Sequence, residues 1–247
     1  MAISRERPVL ITDGQITTPA SPLGFAGNKL SAVAPDFDSQ LFAGVTTDRT
    51  RLLIGRPGNS RPILLDFDEQ LSAPRFDRFG WVWVVGSQGV WVVNAFAKSP
   101  EPKLVGGLPA GLTVSSIAPS IDGVRVLLRV QDFVQSFAAL AEISRGEEIA
   151  LTGLQRVDRD LGSIISTGWL DANRVALLQE TGGNREIVSF DLRTGQSISL
   201  GTPPGPSNLG ASVGRPILVG SELNEIFEQS PAGWQSIGAA SAPIYPG

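Results

Sequence analysis

The chain has 247 residues, 42% of them hydrophobic and 18% charged, with a net charge of −4. It contains no histidine and no cysteine, which removes Ser-His-Asp and Cys-His catalysis, imidazole-ligated zinc, thiolate metal sites and disulfides together. No Lys/Arg run exceeds two residues, so the basic footprint of a nucleic-acid binder or of a protein that lies on an anionic membrane is missing.

No segment approaches the roughly 18 consecutive apolar residues that span a bilayer. The charges of residues 1–14, "MAISRERPVLITDG", have no apolar run behind them, so this start does not read as a signal peptide. A strand placed directly behind Met1 reads as a chain cut from a longer precursor. In chain order, the first element is "PVLITDGQITTP" (residues 8–19), an outer hairpin turning at Asp13-Gly14. Five copies of one pattern follow, at residues 30–66, 71–107, 114–153, 164–201 and 209–238. In each, a short apolar strand leads into an Asp- or Gly-containing turn and then into further strands bounded by Gly, Asn and Pro. Ala34-Pro35, Ala73-Pro74 and Ala118-Pro119 punctuate the first three copies alike. Asp38, Asp77, Asp122 and Asp171 recur three residues after the Pro, or after Gly168 in the fourth copy. "SRGE" (residues 144–147) and "DLRTGQ" (191–196) read as tight hairpin turns.

A period of roughly 40–50 residues is that of a four-stranded propeller blade. The expected fold is a single all-β propeller over residues 1–247, with six blades and with five as the alternative count. The terminal "SAPIYPG" (241–247) reads as a closing inner strand. It joins the N-terminal hairpin (1–19) in a composite last blade that ties the ends together.

Three of the five tryptophans fall in "WVWVVGSQGVW". Alternation puts Trp81 and Trp83 on one side of a strand and Val82 and Val84 on the other. Both sides are apolar, so the strand reads as buried between neighbouring blades rather than as a ligand platform. Trp91 belongs to the partner strand across the turn at residues 87–89.

With these repeats laid out, the chain resembles the C-terminal β-propeller domain of the LpqB family of actinobacterial lipoproteins. The stretches that carry the resemblance are "FDRFGWVWVV" (76–85), "GLPAGLTVSSIAPSIDGVRVLLRV" (107–130), "GWLDANRVALL" (168–178) and "PIYPG" (243–247). The resemblance implies a longer precursor, with a lipid-anchored cysteine and a domain similar to those of spore-germination proteins upstream of the propeller. It implies a place on the outer face of the cytoplasmic membrane and association with the extracellular part of the MtrB sensor kinase. The propeller would then be a protein-binding module of a signalling system, with no enzyme activity, no cofactor and no metal. Contact with the membrane would run only through the upstream anchor.

The sequence offers two sets of candidate site residues. "QDFVQSF" (131–137) enlarges a hairpin that is a short Gly turn elsewhere, and its Phe133, Val134 and Phe137 are candidates for partner binding. The segments 94–102 and 152–162 are further candidate contact loops. The repeated Asp38, Asp77, Asp122 and Asp171 read as turn-stabilising carboxylates. Their alternative reading is a ring of carboxylates at one mouth of the channel. With Glu180, these could serve a carbohydrate-binding or glycoside-hydrolysing propeller, a chemistry that needs no histidine. "DFDE" (66–69) and "DRD" (158–160) read as solvated loop charges.

Overall fold

The computed structural model describes residues 2–3, 8–12, 15–18, 21–23, 28–36, 41–56, 62–157, 161–211, 213, 216–223 and 225–239, with side chains for those from 28 to 238. The expected turn Asp13-Gly14, the carboxylate Asp38, the charges 158–160 and the closing strand 241–247 lie outside the described residues.

The described residues form six four-stranded antiparallel sheets, each built from strands consecutive in sequence. The first sheet comprises β1 (Ala2–Ile3), β2 (Pro8–Thr12), β3 (Gln15–Thr18) and β4 (Ser21–Leu23). All four of its strands come from the N-terminal segment, with Ala2 opposite Val9 in the register of β1 on β2. The second holds β5 (Leu30–Pro35), β6 (Phe42–Thr46), β7 (Arg51–Gly55) and β8 (Ile63–Asp66). The third holds β9 (Arg75–Phe76), β10 (Trp81–Gly86), β11 (Gly89–Asn94) and β12 (Pro102–Leu104). The fourth, with the longest strands, holds β13 (Thr113–Pro119), β14 (Arg125–Gln131), β15 (Ser136–Arg145) and β16 (Ile149–Arg156). The fifth holds β17 (Ser163–Trp169), β18 (Arg174–Thr181), β19 (Asn184–Asp191) and β20 (Ser197–Ser199). The sixth holds β21 (Pro206–Gly210), β22 (Leu218–Ser221), β23 (Glu225–Ser230) and β24 (Gly233–Ala239). "FAALAEI" is part of the strand β15.

The core lies between sheets. Val82 and Val84 of β10 pack with Ala43, Val45, Leu52 and Ile54 of the second sheet. Trp83, on the opposite side of the same strand, packs with Val114, Ile117, Val126, Leu128 and Val130 of the fourth. Trp83 is fully buried. The Trp-Val alternation is therefore inter-blade packing, and a buried aromatic of this size removes about 150–250 Å² from water. Further clusters join the fourth sheet to the fifth and the fifth to the sixth.

A device repeated in the inner strands was not read from the punctuation. Register slips at residues 31, 115, 165 and 207 mark a bulge near the start of β5, β13, β17 and β21. At three of these the extra residue is a serine that bonds back to the second strand. Ser31 Oγ donates to the Thr46 carbonyl (2.9 Å), Ser115 to that of Arg129 (3.1 Å) and Ser207 to that of Gly220 (2.9 Å). A bulge leaves backbone groups off the ladder and sharpens the twist, and the hydroxyl satisfies one of them.

Candidate functional site

Up-and-down connectivity sorts the turns onto two faces. Turns from first to second strand and from third to fourth share one face. Turns from second to third strand and the crossings to the next sheet share the other.

The recurrent aspartates belong to the first face, but they are not equivalent. The N–H groups of Asp36, Asp77 and Ser120 donate to the carbonyls of Leu41 (2.9 Å), Trp81 (2.9 Å) and Arg125 (2.8 Å), each closing the first-to-second turn of its sheet. Asp77 therefore corresponds to Asp36 and Ser120, two positions before Asp122. The match of Asp77 with Asp122 is corrected here: Pro74 precedes β9, whereas Pro35 and Pro119 end β5 and β13.

This offset gives the carboxylates different surroundings. Asp77 has a wholly buried side chain. Its Oδ1 accepts the N–H groups of Phe79 (2.8 Å) and Trp81 (3.0 Å), and its Oδ2 accepts the Trp83 indole N–H (3.0 Å). Oδ2 also receives Arg145 Nη2 of the fourth sheet at 2.6 Å. Asp122 stays half-buried in its own turn, with Ser120 Oγ, Val124 N–H (3.1 Å) and Arg125 Nη2 (2.9 Å) as donors. Burial pushes its carboxyl up, and these three donors outweigh that and hold it below the usual value. Asp171 likewise accepts Asn173 N–H (2.8 Å), Arg174 N–H (2.8 Å) and Arg174 Nε (2.6 Å). Its small burial cost is overcome by the same bonds, so its carboxyl also sits low. Glu180 pairs with Arg185 at 2.9 Å. Asp77, Asp122, Asp171 and Glu180 are thus each committed to donors nearby, and the low carboxyls of Asp122 and Asp171 are the opposite of what a general acid needs near neutral pH. No group of three or more Asp or Glu able to hold a metal ion occurs among the described residues.

On the second face, the β14–β15 turn carries Phe133 and Val134, which are 101% and 89% exposed. The tip is ordered. Asp132 Oδ1 accepts the N–H groups of Val134 (2.8 Å) and Gln135 (2.9 Å), and the Asp132 N–H donates to the Gln135 carbonyl (3.1 Å). The bonds from Gln135 and Val134 hold the Asp132 carboxyl below its usual value. Phe137 does not share this surface. It is 8% exposed and packs in the core with the guanidinium of Arg156 4.8 Å from its ring centroid. Strand alternation inside β15 turns it inward, which the loop-like composition of "QDFVQSF" concealed.

Two features of this face were missed from sequence. Leu223, in the corresponding turn of the sixth sheet, is 77% exposed. Glu69 is no free loop charge: it accepts Ser87 Oγ (2.7 Å), Gln88 N–H (2.8 Å) and the Trp91 indole N–H (2.6 Å). Burial pushes its carboxyl up, but the Gln88, Ser87 and Trp91 donors win and hold it low. Gly86 is bare because a Cβ there would meet the Glu69 carboxyl carbon at 2.3 Å.

Residues 8–246 match the family model of the lipoprotein LpqB beta-propeller domain. The chain belongs to that family. Lipoprotein LpqB of Streptomyces coelicolor is 25% identical over 270 residues, a match that takes in 98% of this chain and 44% of the relative. The chain therefore spans less than half the length of that relative. Among solved structures, TolB from Acinetobacter baumannii superposes with a TM-score of 0.70 at 15% identity, over 98% of this chain and 66% of TolB. A chain of the nidogen/laminin complex superposes with a TM-score of 0.66 at 11% identity, over 97% and 96% of the two chains. At these identities the likeness is one of fold, the β-propeller. The family is one of lipoproteins, and no helix among the described residues is long and apolar enough to cross a membrane.

Proposed function

We propose that this domain is a non-catalytic protein-binding propeller of a cell-envelope lipoprotein. It is held at the outer face of the cytoplasmic membrane by an anchor upstream of the propeller. It docks on the extracellular domain of a sensor kinase, the MtrB-type partner that the family resemblance implies, and so modulates two-component signalling. The observation that carries this reading is the Phe133–Val134 tip. Two apolar side chains stand fully exposed on a turn whose backbone is fixed by Asp132. An ordered apolar tip brings contact area to a partner while losing little conformational freedom on binding. The described carboxylates Asp77, Asp122, Asp171 and Glu180 support the non-catalytic reading, because each is engaged by donors close at hand.

The test is retention of the immobilised domain by the purified extracellular domain of the sensor kinase. Wild type is retained, and Phe133→Asp lowers retention at least tenfold. Equal retention of both would move the contact elsewhere, and no retention of wild type would remove this partner.

A further inference from the structure

The Phe133 tip shares the second face with another apolar turn. Leu223, in the β22–β23 turn of the sixth sheet, is 77% exposed. The fifth sheet stands between the two, packed against the fourth on one side and the sixth on the other. Its own β18–β19 turn is made of Gly182 and Gly183, both at positive φ, and a Cβ on either would meet nothing within 4 Å. Two apolar tips therefore flank a turn that carries no side chain and has open space above it.

The charges of this sector are uneven. Connectivity places Asp132, Glu180, Glu186, Glu222 and Glu225 at the second-face ends of the fourth, fifth and sixth sheets, against Arg156 and Arg185. Arg185 is shared by Glu180 (2.9 Å) and Glu222, so one cation serves two carboxylates. Asp132 accepts neutral backbone N–H groups and has Arg156 for its cation. Glu186 accepts the neutral Gln179 amide (3.2 Å). Glu225, beside Leu223, is exposed, and Glu222 keeps 60% of its side-chain exposure.

The excess of acid belongs to this face. Around the second and third sheets, Lys29, Arg49 and Arg51 stand with Asp48, Asp66, Asp68 and Glu69, which is nearer balance. Elsewhere, with Arg129 counted there because it is drawn into the seam by the Ile165 carbonyl, the described residues carry as many bases as acids. By sequence, residues 158–160 (Asp-Arg-Asp) do not reverse the sign, and residues 1–27 hold Arg5 and Arg7 with Glu6 and Asp13.

We infer that this sector seats a cationic surface of the partner protein, in which lysine or arginine side chains surround apolar ones that meet Phe133, Val134 and Leu223. The inference rests on the docking reading above and adds the chemistry of the partner to it. The apolar tips supply the contact area, and the acidic border steers the approach and fixes the register.

The experiment measures the affinity of the immobilised domain for the extracellular domain of the sensor kinase at low and high salt. Wild-type affinity falls about tenfold or more between about 50 and about 500 mM salt. Glu225→Lys weakens binding at least fivefold at low salt and matches wild type at high salt. Leu223→Ser weakens it at least fivefold at both. Lys29→Glu, outside the sector, leaves it unchanged. All three side chains are exposed, so thermal melts that match wild type tie each loss to the contact rather than to the fold. Binding that ignores both salt and Glu225→Lys overturns the cationic partner and leaves the docking at Phe133 standing. Tighter binding of Glu225→Lys than of wild type overturns it too, by showing an acidic partner surface. Indifference to Leu223→Ser overturns the two-tip seat. No binding of wild type removes the docking reading and this inference together.

Discussion

The fourth sheet is joined to its two neighbours in different ways. Toward the third sheet, Arg145 reaches a buried carboxylate, Asp77, which also takes the Trp83 indole. Toward the fifth, Arg129 reaches the Ile165 carbonyl and Arg125 that of Ala172 (2.6 Å), while the Trp169 indole donates to the Ala118 carbonyl (2.8 Å). One seam is closed by a charge pair and the other by cations on backbone dipoles. A charge pair is the more brittle fastening, because losing one member strands the other. A guanidinium that bonds a carbonyl leaves only a neutral acceptor behind when it is removed.

The largest expected effect follows from breaking the first seam alone. Asp77→Asn leaves Arg145 without its counter-charge and should cost about 3 kcal/mol in urea unfolding. That is the low end of the usual range of about 3–5 kcal/mol for a broken buried pair, because Arg145 keeps 23% of its side-chain exposure. Adding Arg145→Met to Asp77→Asn should recover part of the loss, and a double variant less stable than Asp77→Asn alone would contradict the stranded-charge account. Next comes Arg129→Met, which orphans the Ile165 carbonyl and takes one donor from the Ser115 hydroxyl, while that hydroxyl keeps its bond to the residue 129 carbonyl. Its expected cost is about 1–2 kcal/mol, and a loss equal to that of Asp77→Asn would erase the distinction between the seams.

Glu69 is an intermediate case, a carboxylate held only by neutral donors. Its folded pKa lies below the ordinary 4.5. The stability it contributes is therefore fully present above pH 4.5 and is lost as pH falls through the folded value. Glu69→Gln should flatten the acid limb of a stability–pH profile below about pH 4.5 and leave the slope above pH 6 unchanged. An unchanged acid limb would show that the Ser87, Gln88 and Trp91 bonds do not favour the charged form. The smallest effect on stability is that of Phe133→Asp, which touches neither seam. Its melting temperature should match wild type, and a clear drop in a thermal melt would mean that the tip packs on the protein rather than on a partner.

The fold class was legible because hydrophobic runs, Gly turns and Ala-Pro pairs repeat along the chain, and the side on which Trp83 packs followed from alternation alone. What stayed hidden was register. Two residues of offset separate Asp77 from Asp122, and the Pro punctuation masks that offset because Pro74 stands before its strand while Pro119 ends one. A slip of two keeps the side of the strand but changes the depth, from a half-exposed turn to the buried seam. Phe137 and Glu69 were misjudged for a related reason. Local composition marks a stretch as loop, but not whether a long strand continues through it or whether a distant turn donates hydrogen bonds into it.

The Asp77–Arg145 contact also has a meaning in time. Its partners are 68 residues apart in the chain, whereas Arg129 and Ile165 are separated by 36. In a polypeptide emerging from its N-terminus, the third sheet is complete while its buried acid still lacks a counter-ion, and only the third strand of the next sheet supplies one. Long-range closure of this kind is slow to form. The side chains that cover Trp83, from Val114 to Val130, also belong to the fourth sheet and follow the third in the chain, so the buried acid and the buried indole of the third sheet are both completed by the sheet after it.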